Sequence, residues 1–113
     1  MGVLKHKNDR LQGTLDLLVL RTLASRGRMH GYAITLHIEQ VSRDVLHLEE
    51  GSLYPALQKI LLKGWVTAAW GTSETGRKVR FYKITRDGIK QLEAEAAQYD
   101  RQTKAIQAIL RTA

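Results

Sequence analysis

The sequence lacks cysteine, which excludes disulfide bonds and thiolate metal sites and fits a reducing cytosol. It also lacks any apolar run near the ~20 residues that span a bilayer. Residues 1–10 are polar and basic, without the apolar stretch of a secretion signal, and are predicted to be frayed and solvated. No repeat, low-complexity segment or linker divides the 113 residues. We expect one cytoplasmic domain.

A helix followed by a hairpin is indicated for the stretch from Glu50 to Ile84. Its apolar residues recur at helical spacing, at Leu53, Leu57, Ile60 and Leu61. Ser52 is placed to cap this helix, and Pro55 would fall in the first turn, where its missing N–H costs little. Gly64 is the type of residue that ends a helix in the left-handed conformation. The sequence therefore predicts a helix over residues 50–63.

The hairpin is indicated by WVTAAW (65–70) and KVRFYKI (78–84), which alternate as strands do, with residues 71–76 between them. In the whole chain, 18 Lys and Arg against 11 Asp and Glu give a net charge of +7, which favours a polyanionic partner. Residues 77–90 hold one acid, Asp87, and the bases Arg77, Lys78, Arg80, Lys83, Arg86 and Lys90. Such a run is more often a solvated face, but its place beside a candidate recognition helix favours nucleic acid.

Two helices are predicted before this stretch. The first begins at Gly13 or Thr14 and ends at Gly27. Its apolar residues cover most of its circumference: Leu11, Leu15, Leu17, Leu18, Val19, Leu20, Leu23 and Ala24. Such a helix must be buried on two of its faces, and we expect a partner subunit to cover the second face. The other helix begins at Gly31, with apolar contacts from Tyr32, Ile34, Leu36, Ile38 and Val41. VLHL (45–48) favours a short third strand or a turn.

The last segment, residues 85–113, is predicted to form a long helix capped by Thr85, with Asp87 in its first turn. Its apolar stripe alternates spacings of three and four for about three heptads. The stripe consists of Ile89, Leu92, Ala96, Tyr99, Thr103, Ile106 and Leu110. It could pack on its own domain, but no remaining segment is long enough to cover it. We therefore predict pairing of two copies through this helix, together with Leu15 and Leu18.

With these segments laid out, the chain resembles the PadR family of winged-helix transcriptional regulators, specifically short members with a single C-terminal dimerisation helix. The resemblance is carried by QGTLDLLVLRTLA (12–24), HGYAI (30–34), EEGSLYPALQKILLKGWV (49–66) and GRKVRFYKITRDGIKQL (76–92). It implies a mainly α fold with a small β-hairpin. Residues 1–84 would form a winged helix-turn-helix and residues 85–113 the dimerisation helix, within one compact unit.

The resemblance also implies a function: a homodimer that binds an inverted-repeat operator in double-stranded DNA and represses transcription. The 50–63 helix would enter the major groove, and the 71–76 hairpin would touch the flanking backbone or minor groove. Tyr54, Gln58, Lys59 and Lys63 match recognition-helix positions of the family, and Arg77, Lys78 and Arg80 match the wing. Several members bind planar aromatic effectors at the dimer interface, so a small aromatic effector is left open as a partner.

Individual residues carry separate predictions. Phosphate contacts are assigned to Lys59, Lys63, Arg77, Lys78 and Arg80. Gln58 and Tyr54 are predicted to reach base edges, since Gln can bind adenine in a bidentate manner. Tyr54 could equally place its ring in the core and its hydroxyl on a phosphate. Tyr32 and Thr35 are predicted to reach the backbone. Ser52, near the start of the recognition helix, is counted with the DNA-binding residues.

Other functional classes have little support in the sequence. Ser52 lacks the flanking glycine of a nucleophile elbow, and His37 and His47 lack further ligands for zinc. We expect no enzyme, cofactor or metal. Trp65 and Trp70 are predicted to be structural strand residues, or else one of them faces an effector pocket. The rival hypothesis is a winged-helix module for protein interaction or effector sensing without DNA binding.

Overall fold

The computed structural model describes the backbone of residues 2–113 and the side chains from Thr14 onward. The elements are α1 (Gly2–Arg26), β1 (Met29–His30), α2 (Gly31–Val41), α3 (Glu50–Leu62), β2 (Val66–Thr72), β3 (Lys78–Ile84) and α4 (Arg86–Leu110). The three strands form an antiparallel sheet in the order β1-β3-β2. This arrangement confirms the predicted winged helix-turn-helix followed by a long C-terminal helix.

Helix α1 begins at Gly2, so the predicted start at Gly13 or Thr14 is wrong. A helix that is anchored by packing extends at little cost, because each added residue gains a hydrogen bond without new nucleation. The predicted end is confirmed, since Gly27 adopts φ +83° and its N–H donates to the Leu23 carbonyl. The core face of α1 comprises Leu15, Val19, Leu20 and Leu23. The predictions for the side chains of residues 1–10 and for Leu11 lie outside the described residues.

Helix α2 begins at Gly31 as predicted, with His30 as its cap. The Ala33 N–H donates to Nδ1 of His30 at 3.3 Å, which satisfies one of the free amides of the first turn. One stripe of the helix, Ile34 and Ile38, is buried in the core. The expected core contacts of Tyr32, Leu36 and Val41 are wrong, because all three are exposed. Tyr32 and Leu36 lie on the face opposite Ile34 and Ile38, and Val41 is the last residue of the helix.

The segment 45–48 forms no strand, and the third strand lies at Met29–His30 instead. This strand pairs with β3 through His30 and Phe81. The edge of β3 is therefore already hydrogen-bonded and is not open to the 45–48 segment. The α2–α3 connection turns at Arg43 and Asp44, which both adopt positive φ. Leu48 is buried, and its N–H donates to Oε2 of Glu39 at 3.4 Å.

Helix α3 begins at Glu50, as predicted, but its capping differs from the prediction. Its cap is Glu49, which makes no side-chain capping hydrogen bond, and the Ser52 N–H donates to the Glu49 carbonyl. The predicted capping role of Ser52 is therefore wrong, and Pro55 lies beyond the first turn, inside the helix. The carbonyl that Pro55 leaves without a helical donor belongs to Gly51, which is exposed and accessible to water.

The exit from α3 follows the prediction closely. Gly64 adopts φ +77° and donates its N–H to the Leu61 carbonyl at 3.0 Å. The Trp65 N–H donates to the Ile60 carbonyl at 3.0 Å, which completes a Schellman motif. The buried side of the helix consists of Leu53, Ala56, Leu57 and Ile60. This motif turns the chain directly into β2.

The hairpin carries two different faces. On one face, Val66 and Tyr82 point into the core, and Ala68, the partner of Tyr82, packs against it. Trp70 and Arg80 follow on the same face as cross-strand partners beyond the core.

Strand β3 has its predicted bounds, whereas β2 ends at Thr72, two residues later than predicted, so the turn lies at residues 73–77. There the Ser73 N–H donates to the Arg77 carbonyl at 2.8 Å. The two strands form the wing.

Helix α4 is capped by Thr85, as predicted, with Asp87 in its first turn. Oγ1 of Thr85 accepts the Gly88 N–H at 3.0 Å and donates to the Gly64 carbonyl at 2.7 Å. Thr85 therefore joins the end of α3 to the start of α4. Leu92 packs into the core, and the helix then extends with its remaining apolar residues exposed or partly exposed.

Candidate nucleic-acid interface

Tyr54 lies at the surface where α3 meets α2. Its side chain is 47% exposed, so the alternative in which the ring is buried in the core is wrong. The ring packs against Gly31, where an added Cβ would lie 3.1 Å from the Tyr54 hydroxyl oxygen. Gly31 thus provides space for the tyrosine beside the first turn of α2. Gln58 is exposed one turn further along α3.

Lys59 is engaged within the protein. Its Nζ lies 2.7 Å from Oδ2 of Asp16 on α1, and the Asp16 side chain is 14% exposed. The second carboxylate oxygen, Oδ1, is buried without a hydrogen-bond partner in the structure. A contact between Lys59 and a phosphate would compete with this ion pair, which the sequence did not indicate.

Lys63 lies at the opposite end of α3 from Tyr54. The two residues are nine positions apart, or about 13 Å along the helix axis. The Lys63 ammonium is 5.0 Å from the centre of the Trp65 ring, a cation–π distance. The structure therefore places Lys63 near Lys59 and away from Tyr54.

The inner face of the wing carries an exposed tryptophan flanked by two cations. Trp70 is 64% exposed, and Arg80 lies directly across from it in the register of the sheet. The Lys78 ammonium is 5.3 Å from the Trp70 ring centre, and the Arg80 guanidinium is 6.0 Å from both the Trp70 and Tyr82 rings. Trp70 lies in β2, as predicted, but its ring is not packed in the core, because the strands continue past the core at this point.

A cleft of about 960 Å³ separates the wing from the two helices. It brings together these predicted contact residues: Tyr32, Tyr54, Arg77, Lys78 and Arg80. Trp70 and Leu36 also line it, and two acids, Glu50 and Glu74, border it. The walls are thus aromatic and mainly cationic, a combination suited to a sugar–phosphate chain.

The remaining predicted contacts do not line this cleft. Gln58, Lys59 and Lys63 follow α3 away from it. Thr35 and Ser52 are half-buried in α2 and in the first turn of α3. Their roles in DNA binding remain predictions.

The outer face of the wing holds a cation that the sequence did not indicate. The Arg28 guanidinium stacks 4.0 Å from the centre of the Phe81 ring. A Cβ on Gly71 would lie 2.7 Å from that ring and 3.1 Å from an Arg28 nitrogen, so only glycine leaves room there. His30 meets the same ring edge-on at 5.6 Å. Arg28 thereby spans the sheet from β1 to β2.

The predicted dimer residues fall into two groups. Leu15 and Leu92 are buried within the chain, and Leu18 is partly buried against the same core. Ile89, Tyr99, Ile106 and Leu110 are 43–76% exposed along α4, Ala96 is exposed and Thr103 is partly exposed. The first group serves the fold, and the second forms a free apolar stripe.

Within the part of the chain that the structure describes, no group of three His, Asp or Glu side chains is arranged to hold a metal ion. No helix among the described residues is long and apolar enough to cross a membrane.

Comparisons with known proteins agree with this geometry. Residues 19–94 match the model of the transcriptional regulator PadR-like family, a class of regulators rather than enzymes. An uncharacterised protein of Lysinibacillus sphaericus is 29% identical over 82 residues, which are 73% of this chain and 74% of that protein. A transcriptional regulator from Clostridium thermocellum is 25% identical with a TM-score of 0.82, covering 91% of this chain and 99% of that one. A PadR-like regulator from Bacillus cereus shares the fold at 22% identity and a TM-score of 0.78, covering 93% and 99%. The chain therefore belongs to the PadR-like family of transcriptional regulators.

Proposed function

We propose that this protein binds double-stranded DNA as a homodimer and represses transcription from an inverted-repeat operator. The observation that carries the proposal is the cleft between α3 and the wing, where Tyr54 faces Lys78 and Arg80. These cations and the net charge of +7 match the charge of a DNA backbone.

In this proposal α3 enters the major groove with its amino-terminal half leading, as recognition helices do. Tyr54 is exposed on that half and Gln58 is exposed one turn further along, and both would reach phosphate or base edges. Tyr32, in the first turn of α2, would meet the backbone, where the free amides of a helix start favour an anion. The wing would follow the flanking backbone or minor groove with Arg77 at its turn.

The dimer would form through residues 85–113, the helix α4 and its end. Its exposed stripe of Tyr99, Ile106 and Leu110 repeats at heptad spacing and is covered by no described part of the chain. A two-fold pair of such helices would present two recognition helices to the same face of a duplex. Half-sites about one helical turn apart would suit that geometry.

The test is DNA binding measured over a range of salt concentrations, with the mass of the free protein measured by sedimentation equilibrium. A dimer that closes about six to eight phosphate contacts should show a slope of log affinity against log salt of roughly −5 to −7. A monomer at working concentration would contradict the dimer. The rival protein-interaction module predicts no binding to genomic or random duplex in modest salt, and that result would overturn the proposal.

A further inference from the structure

The ring of Trp70 lies outside the hydrophobic core of the described residues. It is 64% exposed on a strand, whereas the chain's other tryptophan, Trp65, is half-buried. Its ring forms part of the wing wall of the cleft, between the cations of Lys78 and Arg80. Two further exposed aromatic side chains, Tyr32 and Tyr54, line the helical side of the same cleft. The wing wall of the cleft therefore alternates positive charge and flat apolar surface, and it lies opposite two tyrosine side chains.

A strand of duplex DNA presents a matching alternation. Its phosphates are anionic, and its deoxyribose rings are apolar on their outer edges, whereas its bases are stacked inside. When a recognition helix occupies the major groove and a wing lies at the neighbouring minor groove, the strand that separates the two grooves runs between them. The cleft lies at this position, between α3 and the wing.

We propose that the cleft receives this one sugar–phosphate strand, and that Trp70 packs against a deoxyribose while Lys78 and Arg80 hold the adjoining phosphates. The inference rests on the proposed function and adds to it a contact that is not ionic. Glu50 and Glu74 border the cleft and would repel a phosphate, so the phosphates lie beside the wing cations and away from these two carboxylates.

The first measurement is the emission of each tryptophan on titration with duplex. The probe is a mixed-sequence duplex in low salt. It is long enough for the two recognition helices of a dimer to bind about 10 base pairs apart. Trp65→Phe leaves Trp70 as the sole tryptophan, and its emission should change on saturation. Trp70→Phe leaves Trp65, which does not line the cleft and whose ring centre lies 5.0 Å from the Lys63 ammonium, and its emission should change less than that of Trp70. Thermal unfolding of both variants checks that the fold is retained.

The second measurement compares affinities and salt slopes. Trp70→Ala should weaken duplex binding on the order of tenfold, as the loss of an aromatic contact to nucleic acid does, with the salt slope unchanged. Arg80→Ala should weaken binding and flatten the slope by about 1 for each subunit of the proposed dimer. Trp70→Phe, which keeps a flat ring, should retain most of the affinity.

Three results would overturn the inference. If Trp65→Phe binds duplex with the affinity of the wild type and the emission of Trp70 does not change, the sugar–phosphate strand lies elsewhere. A flatter salt slope for Trp70→Ala would show that the ring acts through its neighbouring cations. Tighter binding of the corresponding single strand, with a larger emission change, would mean that Trp70 stacks on an unpaired base. If the wild type binds no duplex, the proposed function itself fails.

Discussion

Nζ of Lys59 lies 2.7 Å from Oδ2 of Asp16, which ties the single lysine of α3 to α1. The carboxylate is mostly buried, and Oδ1 has no hydrogen-bond partner in the structure. Replacing Lys59 by alanine should therefore leave a buried charge and cost about 1–2 kcal/mol of unfolding free energy, less than a fully buried pair because the lysine is partly exposed. Urea denaturation measures the loss.

The matched control for this pair is the double variant. Lys59→Ala combined with Asp16→Asn removes the unpaired charge, and it should recover part of the stability that Lys59→Ala loses. Because Lys59 is engaged with Asp16, we also expect Lys59→Ala to change the salt slope of DNA binding by clearly less than Arg80→Ala does. An equal change would show that Lys59 leaves Asp16 on binding.

Arg80→Ala should weaken binding to all duplex sequences about equally and flatten the salt slope by about 1 for each subunit, because Arg80 lines the cleft and is a proposed phosphate partner. Lys63→Ala removes the same charge at the far end of α3 and should have a smaller effect. Fluorescence anisotropy at several salt concentrations gives both slopes. Equal slopes for the two variants would argue against the cleft as the phosphate site.

Gln58→Ala should relax the preference at one base pair in each half-site, by about 1–3 kcal/mol, because its amide is exposed on α3 and suited to adenine. Selection of bound duplexes from a random pool measures the preference. Gln102→Ala removes an exposed glutamine from α4 and should leave discrimination intact. Full discrimination by the Gln58 variant would exclude it from base readout.

Gly88→Ala should destabilise the protein by about 1–3 kcal/mol, as overpacking of a tight contact does. The added methyl group would collide with the Trp65 carbonyl and lie 2.7 Å from Cγ1 of Ile84. Gly51→Ala is the control, because that exposed helical glycine has nothing within 4 Å of an added Cβ, and alanine there should be neutral or stabilising. Similar melting temperatures for both variants would contradict the close docking of α4.

Ile106→Asp should dissociate the proposed dimer and weaken operator binding, because it places a charge on the heptad stripe of α4. Ile109→Asp makes the same change on a neighbouring residue that is 70% exposed and off the stripe, so it should leave the dimer intact. Sedimentation velocity separates the two outcomes. If both variants stay dimeric, the pairing surface lies elsewhere.

The sequence by itself determined the features that depend on neighbouring residues. The left-handed exit at Gly64, the cap at Thr85 and the alternation of the two long strands arise from interactions within a few residues, and each is found where it was predicted. The apolar spacing of α3 also identified its buried face, because the helical period fixes which side chains share a side.

Only the tertiary structure decided which surface residues act together. The pairing of Lys59 with Asp16 joins two helices far apart in sequence, and no local pattern contains it. The third strand forms at Met29–His30 because β3 has a free edge there, which outweighs the β-favouring 45–48 segment. Trp70 is exposed because the hairpin extends past the core, so the same alternation that buries Val66 leaves Trp70 at the cleft. Which side chains are exposed and which residues pair depends on packing between segments far apart in sequence. The local sequence pattern does not contain that information.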